Sequence, residues 1–296
     1  MQAEQQLSSS ESMANHSFLH TLKRWARLLI RSKTGMVGLV ITLLVTLLAI
    51  FAPLIAPYPP SEQNYTAMNV PPFWLEGGSS AHLLGTDNLG RDMLSRIIYG
   101  TQVSLLVGIC SVVVAGLIGM FFGLIAGFYG GFIDNVLMRI VDAFLAIPNI
   151  LFILVILGVI GPGLLTLIFV IGLTNWVIYA RLVRGDVLSI KEREYVKAAR
   201  SIGTRDHQII RKHIFPNVIP SFIVISTLSV ATTIVLEASL SYLGLGVQPP
   251  TVSWGGMLSA GRDYLATSWW IATFPGLPLR LRSSALFSSA IGCGTY

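Results

Sequence analysis

The chain has 296 residues, 53% of them apolar and only 11% charged, against roughly 25% charged in soluble domains. That composition excludes an ordinary soluble fold and points to an all-α integral membrane protein. A net charge of +6 does not make it a nucleic-acid binder, because nine of the 20 Lys and Arg fall between Arg181 and Lys212 and five precede Gly35. Basic clusters beside apolar runs report topology, since such loops stay on the cytoplasmic side. Cys110 and Cys293 give neither a disulfide framework nor a metal-ligand spacing.

Residues 1–17 are polar and Ser-rich and are expected to be disordered in the cytoplasm. Over 18–34, Phe18, Leu22, Trp25 and Leu29 follow helical spacing while Lys23, Arg24, Arg27 and Arg31 take other faces. The pattern predicts an amphipathic helix on the inner membrane surface, the alternative being a cytoplasmic extension of the first span. Gly35 to Ala56 carries no charge and is long enough to cross a bilayer core of roughly 30 Å. Five basic residues before it predict a cytoplasmic N-terminus.

A second span fits within the uncharged run Thr101–Phe132, whose glycines at 108, 116, 119, 123 and 127 permit close helix approach. They serve either packing inside one bundle or dimerisation. Asp134, Arg139 and Asp142 read as a short turn region. Ala143 to Ala180 is uncharged and reads as two spans, kinked at Pro148 and broken at Gly161-Pro162-Gly163. Ile214–Leu236 makes a fifth span, with Glu237 expected at the interface rather than buried. The Gly- and Pro-rich stretch 238–260 reads as an outer loop or a partly re-entrant segment. A sixth apolar run starts at Tyr264 and meets Arg280 and Arg282. The expectation is six transmembrane helices, with a cytoplasmic helix-turn-helix between spans four and five.

That cytoplasmic segment, 194–216, holds the first functional signal. Helix-forming residues up to Ser201 stop at Gly203, and a second helix follows, with Thr204 as a candidate N-cap, Asp206 in its first turn and Pro216 where the next span begins. Small side chains at Ala198, Ala199, Ser201 and Gly203 leave one face shallow enough to enter a groove. The pattern Lys197-Ala198-Ala199, three residues, Gly203, nine residues, His213-Ile214-Phe215-Pro216 resembles the EAA loop of ATP-binding-cassette importer permeases. Lys197 stands where that motif has Glu. The resemblance implies a coupling helix that docks on an ATPase subunit, with Ala198, Ala199, Gly203 and Asp206 at the contact, Arg200 and Arg205 flanking it, and Pro216 closing the motif.

Two further stretches resemble the dipeptide, oligopeptide and nickel permease group, in its second-permease, C-type subunit. One is Leu84-Gly85-Thr86-Asp87-Asn88-Leu89-Gly90-Arg91-Asp92-Met93-Leu94-Ser95-Arg96; the other is Ser239 to Pro250 with Ser253-Trp254-Gly255. In the first, Gly85, Asp87, Gly90, Arg91, Asp92 and Arg96 form an outer-side motif, read as a structural clamp of exposed ion pairs rather than a substrate contact. The likeness covers roughly 18–277, with 35–277 as the permease domain. It implies a bacterial inner-membrane permease that forms half of a pore with a second homologous permease. Two ATP-binding subunits, an extracytoplasmic substrate-binding protein and membrane lipid complete its partners, and ATP and Mg sit on the ATPase subunits, with no cofactor in this chain. The cargo implied is a small peptide, the alternative being nickel or another small solute.

Beyond Leu277 the chain departs from that group, which continues with an apolar stretch and a Gly-Asp-x-x-Arg-Asp tail. Codons read from the third base of Phe287 let Ser289–Thr295 encode that tail, which points to a frameshift near Pro278 and an atypical segment over 278–296. No Gly-x-x-x-x-Gly-Lys-Ser/Thr phosphate loop is present, so this chain is not expected to be an enzyme in itself. An ion-coupled secondary transporter would want an ionisable residue deep in a span, and the first five spans offer none away from their edges.

Overall fold

The computed structural model describes residues 33–279. The N-terminal tail, nearly all of the interfacial helix over 18–34, Arg280, Arg282 and the frameshift region past 279 lie outside the described residues. The described helices are α1 (Lys33–Ile50), α2 (Met93–Tyr129), α3 (Gly131–Ala146), α4 (Asn149–Ile160), α5 (Leu164–Lys191), α6 (Glu194–Ser201), α7 (Asp206–Tyr242) and α8 (Trp254–Gly261). A further helix occupies 270–279, where the sixth apolar run was expected.

Among the described residues α2, α5 and α7 are each long and apolar enough to cross a membrane, and α3 with α4 makes a fourth span if the bent pair is counted as one. The 86° bend falls at Ile147-Pro148, where proline has no N–H to give to a continuing helix. Gly161-Pro162-Gly163 breaks the chain between α4 and α5, as its composition predicts.

Glycines let the bundle close. A Cβ on Gly123 would lie 2.7 Å from Val183 Cβ, and one on Gly127 would lie 2.7 Å from Val187 Cβ. The two series advance together, so α2 and α5 run parallel, glycine row against Tyr179, Val183 and Val187. Gly108 meets Ile234 and Gly116 meets Phe222, which sets α7 antiparallel to α2. Of the two uses open to the glycine rows, packing within one bundle is the one seen. The opposite face of α2 exposes Leu106, Ile109, Val113, Leu117 and Phe121, a purely apolar stripe suited to lipid.

Three expectations need correction. Asp134, Arg139 and Asp142 do not form a turn; they lie on α3, where Asp134 and Asp142 turn toward arginines of α5. Glu237 is fully buried, with Oε1 accepting from Ser241 Oγ at 2.7 Å, because α7 packs that face against the Ser253–Trp254 corner at the start of α8. Thr204 is not the cap of the second helix: that position is Arg205, and no side chain caps it. The second helix also runs into the fifth span without a break. Pro216 withdraws one donor from the α ladder, and a π turn over Ile210–Ile214, closed by Phe215 N–H to Ile210 O, carries the helix past it.

Candidate functional site

Two motif regions sit at opposite ends of the bundle. At one end, α5, α6 and the start of α7 form a buttressed tip. Val196 and Ala199 of α6 point inward and pack with Ile209 and Ile214 of α7, Val183, Val187 and Ile190 of α5, and Phe128 of α2. Two cations tie the base together: Lys191 Nζ donates to Gly127 O at 2.9 Å, and the Arg200 guanidinium lies 5.4 Å from the Phe128 ring centroid. Arg200 therefore staples α6 to the end of α2.

Gly203 stops α6 at φ +77°. Thr204 N–H reaches Ala199 O at 3.1 Å and Gly203 N–H reaches Arg200 O at 3.0 Å, the paired bonds of a Schellman turn. A residue with Cβ would be strained there. The reversal pushes Ala198, Ser201, Ile202, Gly203, Arg205 and Asp206 outward as one exposed cap, and Pro216 is exposed on the flank of α7. Ala199, expected at the contact, instead belongs to the base and sets how close α6 lies to the core.

Ile202 was missed from the sequence. It is 83% exposed at the crest of the cap, where a large apolar side chain gains nothing from its own fold. Spacing alone gave no signal for it, because 196, 199 and 202 follow at intervals of three, and only the packing of α6 shows that this row turns outward at the stop glycine. Lys197 is also exposed, and its Nζ lies 3.0 Å from Glu192 Oε2. That hydrogen bond and charge hold the Glu192 carboxyl below its ordinary value, so the Lys197 cation carries its own counter-ion.

At the other end, Gly85 to Arg96 folds into a buried knot. Asp87 is 2% exposed; its Oδ1 accepts from Leu89 and Arg91 N–H, its Oδ2 accepts from Arg91 Nε at 2.7 Å, and Arg96 Nε lies 3.5 Å away. Asp92 caps α2, accepting from Ser95 N–H at 2.8 Å and Ser95 Oγ at 2.7 Å, with His82 Nδ1 at 3.0 Å from its other oxygen. Trp270 Nε1 donates to Thr86 O, fastening the 270–279 helix to the knot. Gly85 and Gly90 adopt positive φ, and a Cβ on Gly90 would collide with the Asn64 carbonyl. The clamp is structural in kind, but its ion pairs are buried, not exposed as the sequence suggested.

Among the described residues no three His, Cys, Asp or Glu side chains gather as metal ligands would. What the geometry offers is mechanical: a rigid base under an exposed cap at one end, and a locked span terminus at the other.

Comparison with known proteins identifies the family. Residues 119–287 match the family described as "Binding-protein-dependent transport system inner membrane component", and residues 21–72 match the "N-terminal TM domain of oligopeptide transport permease C". The chain is 41% identical over 265 residues to the di/tripeptide transport system permease protein DppC of Pseudomonas aeruginosa, covering 90% of this chain and 88% of that protein. It is 41% identical over 258 residues to the oligopeptide transport system permease protein OppC of Bacillus subtilis, covering 86% and 83%. Among solved structures, an inward-facing form of the MetNI methionine ABC transporter aligns with 67% of this chain and 94% of its own, at a TM-score of 0.56 and 19% identity, a likeness of fold. With the family pattern spanning more than half of its length and relatives above 40% identity over most of it, the chain belongs to the inner-membrane permease components of binding-protein-dependent ABC importers.

Proposed function

We propose that this permease forms half of the pore of an ATP-driven importer of short peptides, and that the cap of α6 receives the stroke of an ATPase subunit. The observation that carries this reading is the exposed Ala198–Asp206 cap, with Ile202 at its crest, on a base that is otherwise packed shut. An apolar crest with charged flanks suits docking into a groove of a soluble partner. Arg200 joins the cap to the end of α2, Lys191 ties the end of α5 to the same place, and α7 continues from the cap, so displacement of the cap moves these spans together.

In this reading a second homologous permease completes the pore. Two ATP-binding subunits carry ATP and Mg, and a substrate-binding protein delivers cargo to the knot end. The knot end is then outside the bacterial inner membrane, and the cap and the N-terminus are in the cytoplasm. The di/tripeptide and oligopeptide relatives favour peptide over nickel or another small solute as cargo.

The test is Gly203→Leu. It strains the Schellman turn by roughly 1–2 kcal/mol and places a side chain on the cap, so peptide uptake is expected to fail while the protein remains in the membrane. Unchanged uptake would overturn the docking role.

A further inference from the structure

Between α3–α4 and α5 runs a ladder of polar pairs that neither the cap nor the knot uses. Arg184 grips Asp134 with two hydrogen bonds, Nη2 to Oδ2 at 2.6 Å. Arg181 reaches Asp142 one turn further along α5, and past the bend Asn149 Nδ2 donates to Asn175 Oδ1 at 3.1 Å. The ladder opens past its first pair: the Asp134 side chain is 13% exposed, Asp142 and Arg181 are 53% and 54% exposed, and of the amide pair Asn149 is exposed and Asn175 half-buried. Asn149 and Asn175 both lie inside the uncharged run 143–180, with Asn175 about 9 Å beyond Arg181 along the helix at 1.5 Å per residue. Arg139, exposed one turn before Asp142, continues the open face down α3.

Exposed ion pairs and amides at such depth are costly against hydrocarbon and belong beside water or protein. The exposed stripe of α2, by contrast, is wholly apolar, a composition suited to lipid. The bend gives a second reason. The first-turn N–H groups of α4, as in any helix, have no intrahelical partner, and no side chain caps them; membrane depth tolerates such groups where the backbone lines a water-filled cavity.

We propose that this ladder is one wall of the water-filled solute path, and that the Asn149–Asn175 pair is where main-chain amides of a short peptide touch this subunit. The second half rests on the peptide reading given under the proposed function. A side-chain amide pair has donor and acceptor capacity left over, matched to a solute whose backbone repeats the same groups whatever its side chains. Arg181 and Asp142 neutralise each other below it, so the wall holds neither terminus of a zwitterion long enough to trap it.

The test uses the whole transporter with Cys110 and Cys293 replaced by Ser. Asn149→Cys, Asn175→Cys and Arg139→Cys are compared with Val113→Cys and Leu117→Cys in membrane fragments open on both sides, treated with a charged thiol reagent. The reagent needs a thiolate and therefore water, so the ladder positions are expected to react about tenfold faster or more than the stripe positions. Equal rates would overturn the wall, as would crosslinking of 149 and 175 to the second permease without labelling, which would make the ladder a subunit interface. Separately, Asn149→Leu with Asn175→Leu is expected to raise KM for peptide uptake about tenfold, the loss of roughly one hydrogen bond to cargo; an unchanged KM would overturn the amide contact. Absence of any peptide uptake by the unsubstituted transporter would defeat the cargo reading and the amide contact with it, while the labelling contrast still decides the wall.

Discussion

The knot over Gly85–Arg96 and the cap over Ala198–Asp206 use similar letters, glycines at positive φ set among acids and arginines, yet their side chains end in opposite conditions. In the knot, Asp87 serves Leu89, Arg91 and Arg96, Asp92 serves Ser95 and His82, and almost nothing faces outward. In the cap the small and charged residues face outward, and the inward face is left to Val196 and Ala199. A charged motif whose groups satisfy one another holds the fold; one whose groups are left open on a rigid base leaves them free for a partner, which is the role proposed for the cap. The buried polar atoms of the knot also explain why its replacement should be felt as instability, and those of the cap as lost coupling.

The largest expected effect breaks the knot side of this contrast. Asp87→Ala leaves Arg96 buried without its counter-charge and should cost about 3–5 kcal/mol of stability, seen as loss of folded protein from the membrane. Folded, fully active Asp87→Ala protein would show that the knot does not hold the start of α2. Next comes Ile202→Asp, which removes the apolar crest without touching the base. Membrane levels should stay the same, while retention of ATP-binding subunits on purification falls about 30-fold, the equivalent of about 2 kcal/mol at a central contact. The smallest is Lys197→Ala. Its pair with Glu192 is exposed on both sides, and such pairs contribute little, so uptake and subunit retention should hardly change. A severe loss there would mean that charge, rather than shape, carries the contact.

Much of this architecture is readable from where charge is absent. The uncharged runs mark α2, α5 and α7, and Gly161-Pro162-Gly163 marks the turn before α5, because hydrocarbon excludes charge and glycine with proline cannot continue a helix. The stop at Gly203 is legible for the same local reason. Features that depend on distant partners are not. Asp134 and Asp142 read as a turn because their arginines lie 50 and 39 residues away, and pairing over that distance is what allows them to sit on a helix. Glu237 reads as interfacial because its burial is set at a distance: Ser241 is a turn away on its own helix, but Ser253 closes over that serine only when α7 and the start of α8 pack. The spacing Ala-Ala-xxx-Gly locates the cap, but which of Ala199 and Ile202 faces the core depends on how α6 leans on α5 and α2.

The central claim, that the α6 cap is the contact for an ATP-binding subunit, is tested most directly by a photo-crosslinking side chain at position 202, with position 117 on the apolar stripe of α2 as control. In a transporter active in uptake, position 202 is predicted to give an adduct with an ATP-binding subunit and position 117 to give lipid adducts alone. Active transporter with no adduct at position 202 would contradict the account.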